Sequence, residues 1–600
     1  MSDQKVSFGK LFWPSFVAVM IAGLVSLILF FLVLGGVIGS FGDFGPEPLA
    51  IKNSTILHLK LTGELKDKSD ESLDIANFQV NRSVGLPDLL YGIEKAKTDS
   101  KIKGIYLELG GLTCGMGSAK ELHDAIKDFQ TSGKFAVAYL SGEYVSQTAY
   151  YISSAAKEVY GFPYTSMEFT GVGVQMMFFK NLLDNLNIEV DIVRGSNNDF
   201  KSAVEPFFRS NMSDSSRLQT QALLRTMWRT MRNDISLNKG IDTVTLDNHV
   251  DSLHILDCES AYNAKLITGL RYRDEFMGLL KKKMNMEQDE ELEIQSLEKY
   301  ALKAFSDRQL LVKRQKPNIA VILAEGDVAT SGDGVSSASI CRLFQKVRND
   351  KNITAVVFRI NSPGGSALAS EEIWREVSMT QKKKKVIVSM GDVAASGGYY
   401  IATPANRIFA EPTTITGSIG VFGMIPYTGK FMENKLGITF DRVRTNQHSL
   451  TSLNAKLTPE ELAVIQGQVD KIYTLFLTRV SEGRKMKLEK VAVLARGRVW
   501  SGEDALRIGL VDELGGLSKA IAYACKTQSA PKVIYYPIVK KNTLSEIAEM
   551  IEQQQEEEEE TSVKMDVAIP AELKAIYARI KKIENMAGIQ MRMPFEYIME

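Results

Sequence analysis

From Leu11 to Gly42 no residue carries a charge, and from Phe16 the run is almost wholly apolar: Phe-Val-Ala-Val-Met-Ile-Ala-Gly-Leu-Val-Ser-Leu-Ile-Leu-Phe-Phe-Leu-Val-Leu. A helix crosses the bilayer core in about 20 residues, so this pattern predicts one transmembrane span. Lys5 and Lys10 precede the run, and Asp43 and Glu47 follow it. That bias places the N-terminus inside and the bulk of the chain on the exported side. A cleaved signal peptide is the rival reading, but its apolar region usually runs ~7–15 residues, so a retained anchor is favoured. Gly35 and Gly39 form a GxxxG at the outer end, read as a glycine-rich helix exit rather than a dimer face. No later stretch approaches this hydrophobic length.

Beyond the anchor the pattern changes period. Ile319–Leu323 (Ile-Ala-Val-Ile-Leu) and Ala355–Ile360 (Ala-Val-Val-Phe-Arg-Ile) are short β-branched runs of buried-strand type, and Val386–Ser389 is another. Between the first two, residues 337–349 carry apolar positions at helical spacing. Strand–helix–strand alternation predicts an α/β fold with a parallel or mixed sheet. The pattern also repeats. Gly142, Tyr150, Tyr151, Ile152 and Pro163 recur as Gly391, Tyr399, Tyr400, Ile401 and Pro412 in one register, and Thr170-Gly171 resembles Thr416-Gly417. Asp191 and Arg194 match Asp441 and Arg444 one residue out of that register. An ordered set of this kind indicates a tandem duplication with small loop insertions. The expected organisation is 1–50 cytoplasmic N-terminus and anchor, 51–316 first unit, 317–540 second unit, and 541–600 acidic linker and tail. Lys281–Glu298 is expected to decorate the join or to end the first unit. Gln553–Glu560 (three Gln, five Glu) reads as solvated linker or frayed helix, and Ala571–Asn585 as a short amphipathic helix.

Composition narrows the classes. Lys+Arg and Asp+Glu are both 72, giving no net charge, so a protein-wide pull toward nucleic acid is excluded. Apolar content of 44% in 600 residues is ample for a core and rules out global disorder. Cys114, Cys258, Cys341 and Cys525 are far apart with no CxxC pair, which argues against a disulfide scaffold and a thiolate zinc site. No metal and no cofactor is expected.

The two units differ where chemistry could sit. In the second, a strand runs into Asn361-Ser362-Pro363-Gly364-Gly365, where glycines let backbone N–H groups approach a ligand oxygen. The first unit has Gly110-Gly111 there, without the Ser-Pro. Further on, small residues surround Ser396 in Gly391-Asp-Val-Ala-Ala-Ser396-Gly397-Gly398-Tyr399. A tight turn into a helix exposes such a serine, and its backbone N–H groups can hold an oxyanion. A packed glycine-rich turn is the bland alternative. The matching first-unit residue is Gln147, which cannot be that nucleophile. The five histidines, His58, His123, His249, His254 and His448, sit in no triad-like motif. A lysine whose pKa is depressed by burial can serve as base, but composition cannot choose one. Lys382–Lys385 reads as a solvated turn.

Asn361-Ser-Pro-Gly-Gly-Ser366, Ser389-Met-Gly-Asp-Val-Ala-Ala-Ser-Gly-Gly-Tyr-Tyr-Ile401, Thr403-Pro-Ala-Asn406, Thr416-Gly-Ser-Ile-Gly-Val-Phe-Gly423 and Phe200-Lys201-Ser-Ala-Val-Glu-Pro-Phe207 together resemble signal peptide peptidase A, in its long, membrane-anchored, duplicated form. The resemblance covers roughly residues 50–530. It implies tandem Clp-protease/crotonase-like units and a serine endopeptidase with a Ser/Lys dyad shared between them. By that resemblance Ser396 is the nucleophile and Lys201 the general base. Gly397 with Gly364 or Gly365 forms the oxyanion hole, and Ser418 orients the lysine, a turn serine being the alternative there. The second-unit position matching Lys201 falls near Leu450-Thr451, so neither unit holds both groups. Lys456 is the reserve base, better read as a surface lysine. The resemblance further implies hydrophobic peptide substrates, notably cleaved signal peptides, a homotetramer, and a place in the bacterial inner membrane with the bulk on the periplasmic side. Two other classes compete: an inactive membrane scaffold or chaperone on a protease fold, and an acyl-CoA enzyme of the crotonase fold. Intact Ser396 and Lys201 speak against the first, and an exported site without CoA against the second.

Overall fold

The computed structural model describes residues 51–69, 71–74, 79–332, 334–449, 453–526, 528, 530–537 and 588–593, with Gly23 and Ser26. The expected anchor, apart from those two residues, and the Ala571–Asn585 segment lie outside this set. Among the described residues no helix is long and apolar enough to cross a membrane. The account below concerns the unit Asn53–Glu600.

Two parallel sheets with the same strand order dominate it. The first runs, in space, Gly269–Leu270, Glu158–Gly161, Phe135–Leu140, Ile102–Leu107, Thr55–Leu59, Ile294–Ser296. The second runs Glu513–Leu514, Arg407–Ala410, Lys385–Ala395, Ala355–Ser362, Ile319–Glu325, Val533–Tyr536. The helices follow suit. Asp214–Lys239 and Pro459–Arg484 are each 26 residues long, and each starts at a hydroxyl cap, Ser213 and Thr458. The duplicated α/β arrangement expected from the sequence is therefore present.

The β-branched runs are continuous because these strands are covered on both faces. Along Ile319–Leu323, Ala320 and Ile322 join Val356, Phe358 and Val388 on one side. Ile319 and Val321 join Val357 and Ile387 on the other. That is the period of two a pleated strand imposes. The helix Ser337–Asn349 buries Ile340, Phe344 and Val347 against the first of these faces.

A smaller sheet knits the halves together. Its order is Glu189–Arg194, Phe422–Tyr427, Gly588–Arg592, Gly364–Ser366, Val328–Ala329, Val335–Ser336. The first strand belongs to the first half and pairs antiparallel with Phe422–Tyr427 of the second, Arg194 opposite Phe422. The repeat breaks here. The segment holding Asp441 and Arg444, matched in sequence to Asp191 and Arg194, is exposed and not a strand.

Candidate active site

The strand Lys385–Ala395 ends at Ser396, which caps the helix Gly397–Ala402 with φ +55° and ψ −114°. Positive φ is uncommon outside glycine and implies that the surroundings over-determine the turn. The Ser396 N–H donates to the Gly417 carbonyl at 2.8 Å, tying the turn to the neighbouring strand Ile415–Gly417. One bulge upstream helps. The ladder to Ala355–Ser362 slips after Ile360, and Asn361 Oδ1 accepts the Val393 N–H at 3.1 Å in the gap.

Lys201 reaches this turn from the other half. The strand Glu189–Arg194 carries the chain across, and Lys201 follows it in a short loop before the turn Ser202–Val204. Its Nζ lies 2.9 Å from Ser396 Oγ, 3.0 Å from Ser418 Oγ and 3.2 Å from the Ser418 carbonyl. All three residues are fully buried. Burial pushes the lysine well below its ordinary 10.5. No carboxylate is among the causes of that shift, so nothing nearby restores the ammonium form. The lysine's backbone is held as firmly. Gly497, at φ +76°, packs so closely that a methyl there would stand 2.5 Å from Lys201 Cβ. Gln219 Nε2 donates to the Phe200 carbonyl at 3.1 Å and to Ser202 Oγ at 2.8 Å, while its Oε1 accepts the Val499 N–H at 3.1 Å.

The three glycines lie on the opposite flank. Gly364, at φ +101°, is tight against the Gly397 nitrogen: an added methyl would come within 2.7 Å of it. The Gly364 N–H donates to Ser362 Oγ at 3.2 Å. Gly365 is packed on the Val328 carbonyl, 2.2 Å from where its Cβ would be. The structure therefore gathers Ser396, Lys201, Ser418, Gly364, Gly365 and Gly397 at one place. It leaves Lys456 on the surface, paired with Glu189 at 2.5 Å. His58, His123, His254 and His448 bond Glu108, Asn238, Ser252 and Glu461, away from the serine. Leu450 and Thr451 lie outside the described residues.

The corresponding turn of the first half is closed. Gln147 Oε1 accepts the Thr170 and Gly171 N–H groups at 3.0 and 2.9 Å, and its Nε2 donates to the Gly171 carbonyl at 2.9 Å. Thr170-Gly171 is the pair that matches Thr416-Gly417 in the repeat, so an amide staples what the second half leaves to a serine.

Under the catalytic strand the halves share a buried charge cluster. Arg359 is fully buried and bonds Asp67 Oδ2 at 2.7 Å and Oδ1 at 3.1 Å, with Glu121 Oε1 at 2.7 Å and Ser389 Oγ at 3.1 Å. Burial works against its charge, but Asp67 and Glu121 hold its pKa above the ordinary value. Asp392 accepts from Ser118 N at 2.8 Å and Ser118 Oγ at 2.6 Å. Sequence inspection passed over Gln219, Gly497 and this cluster. A positively charged residue inside the strand run Ala-Val-Val-Phe-Arg-Ile was the one available signal.

The chain matches the model of Peptidase family S49 at residues 128–287 and 378–530, once in each half. It is 34% identical over 515 residues to Protease 4 of Haemophilus influenzae, spanning 82% of each chain. It is 31% identical over 507 residues to the chloroplastic Serine protease SPPA of Arabidopsis thaliana, spanning 83% of this chain and 72% of the relative. Protease 4 of Salmonella typhi is 34% identical over 457 residues, spanning 73% of this chain and 71% of that one. With matches of this extent, the chain belongs to Peptidase family S49, in its signal peptide peptidase A branch, and is a serine peptidase.

Proposed function

We propose that this peptidase hydrolyses hydrophobic peptides, notably cleaved signal peptides, beside the membrane that anchors it, by a Ser/Lys dyad assembled from its two halves. The observation that carries the reading is the 2.9 Å separation of Lys201 Nζ and Ser396 Oγ in a fully buried setting.

Lys201, kept neutral by burial, takes the hydroxyl proton as Ser396 Oγ attacks the substrate carbonyl carbon. The new oxyanion accepts N–H groups from Gly397 and from Gly364 or Gly365. Losing one such donor typically costs about 2.7–4 kcal/mol of transition-state stabilisation. Lys201 returns its proton to the departing amine as the C–N bond breaks, leaving an ester on Ser396. A water that gives its proton to Lys201 attacks that ester, and the proton then restores the serine hydroxyl. Ser418 aims the lysine through both its hydroxyl and its carbonyl. Charge-free Leu11–Gly42 supports an anchor that keeps the site near membrane-borne peptides, with the bulk periplasmic in a bacterial inner membrane. The working assembly is a homotetramer.

The test uses the full chain in detergent with an apolar fluorogenic peptide, across pH. Wild type should hydrolyse it with a rate that rises through one ionisation well below 10.5, while folded Ser396→Ala and Lys201→Ala are inert. Wild-type rates in Lys201→Ala would sink the dyad. A folded but inert wild type would move the scaffold reading to the front. Light scattering of the same sample reads the tetramer.

A further inference from the structure

One strand of the active-site sheet comes from the far end of the chain. Gly588–Arg592 lies between Gly364–Ser366 and Phe422–Tyr427, antiparallel to both. Gly364 faces Arg592 and Gly365 faces Met591 on one side; Phe422 faces Gln590 on the other. The Met593 N–H extends the pairing by donating to the Pro363 carbonyl at 2.7 Å. An extended peptide added to a sheet in this way is bound by main-chain hydrogen bonds and sorted by its alternate side chains.

This strand sits on the reacting groups. A methyl on Gly364 would stand 2.1 Å from the Met591 carbonyl oxygen, and one on Gly397 would stand 3.1 Å from that same oxygen. The Met591 carbonyl thus faces the glycines assigned to the oxyanion. The Met591 side chain is 1% exposed and belongs to the core of the second half. Arg592, 8% exposed, is held by Asp327 at 2.7 Å (Oδ2) and 3.0 Å (Oδ1). An apolar anchor, a carbonyl at the oxyanion glycines and two-sided strand pairing are what a bound peptide substrate would present.

We propose that Gly588–Met593 is a built-in substrate mimic that occupies the peptide groove in cis, anchored by Met591 and latched by the Arg592–Asp327 pair, and that substrate peptides must displace it. The proposal rests on the Ser396/Lys201 assignment for its inhibitory meaning. A groove open for part of the time weakens apparent substrate affinity by that fraction and leaves turnover of the bound complex unchanged.

The test compares full-length variants on the apolar reporter peptide. Asp327→Asn and Arg592→Glu should each lower KM about threefold, the scale of a partly exposed ion pair. Met591→Asp should lower it roughly tenfold or more, since the buried anchor is lost. In all of them kcat stays at the wild-type value, and Asp327→Lys combined with Arg592→Glu restores the wild-type KM. Hydrogen exchange in the Ser396→Ala background reads occupancy without catalysis. Amides of Ser366 and Phe422–Met424 should exchange slowly, and faster once Met591→Asp is added. Unchanged KM together with unchanged exchange in Met591→Asp would overturn the proposal. So would a KM shift that appears only as protein concentration rises, because the strand would then come from a second copy. Hydrolysis retained by Ser396→Ala would instead overturn the catalytic assignment, and with it the inhibitory role, while the exchange data still report where the tail lies.

Discussion

Ser396 combines full burial with a backbone angle that L-residues avoid, φ +55°. Such strain costs of order 1–3 kcal/mol and persists only when the neighbourhood enforces it. Here the enforcement is visible in the Gly417 hydrogen bond and in the packing of Gly397 and Gly398 against Ser370 Oγ and the Ser362 carbonyl. Ser396→Gly and Ser396→Ala both delete the hydroxyl, but only glycine relaxes the turn. Ser396→Gly should therefore melt above Ser396→Ala, by about 1 kcal/mol in chemical denaturation. Lys201 carries the opposite kind of stress, a charge-bearing group kept dry. Below its depressed pKa the folded state must either bury the ammonium or lose a proton that the unfolded chain keeps up to 10.5. Between those two pH values the folded chain binds one proton fewer, so stability rises with pH by about 1.4 kcal/mol per unit. Lys201→Met should remove that slope and be the more stable protein at neutral pH, at the expense of all hydrolysis; urea midpoints measured across pH decide it.

The crossing strand Glu189–Arg194 is the element on which the site depends, since it brings a lysine of one half to a serine of the other. Its position is secured less by the strand than by Gln219, on the long helix Asp214–Lys239. That side chain ties Phe200 and Ser202 of the lysine loop to Val499 of the second half. Gln219→Ala leaves the buried Val499 N–H and Phe200 carbonyl without their partner, each costing about 1–3 kcal/mol. The expected result is lower stability and a kcat that falls with KM little changed, read by steady-state kinetics at a temperature where the variant is folded. Elements of this kind test what a sequence discloses. The strands Ile319–Glu325 and Ala355–Ser362 were legible because burial on two faces writes continuous β-branched runs. Ser396 was legible because a strained turn needs small neighbours. Lys201 was not readable from local pattern, because its chemistry arises from burial by residues far away in sequence, and it surfaced through family resemblance. Gln219 looks like any helix glutamine, and Gly588–Arg592 carries no strand signature that its glycine and charge do not blur.

Across the whole molecule the halves are joined by buried charge as well as by strands. Arg359 binds Asp67 and Glu121, and Glu411 lies close to Glu121, Asp124, Lys120 and Arg359. Burial, with the neighbouring Glu121 and Asp124 carboxylates, pushes Glu411 up to about 8 from 4.5. The unfolded chain releases that proton near 4.5 and the folded chain near 8. The folded state is thus unpenalised below 4.5 and loses stability as pH rises through this window. Glu411→Gln should flatten this part of the curve, so that the variant gains on wild type between those limits in denaturation experiments. Because the halves interlock in this manner, the division of the dyad has a consequence for how the protein is made. Translation delivers the lysine half first, and domains generally fold as they emerge. That half carries Gln147, already tied to Thr170 and Gly171, where a nucleophile would be. A growing chain therefore holds a base with nothing to activate until Ser396 and the Gly497 cradle have followed. The newborn protein is harmless to its surroundings, and to itself, for most of its synthesis.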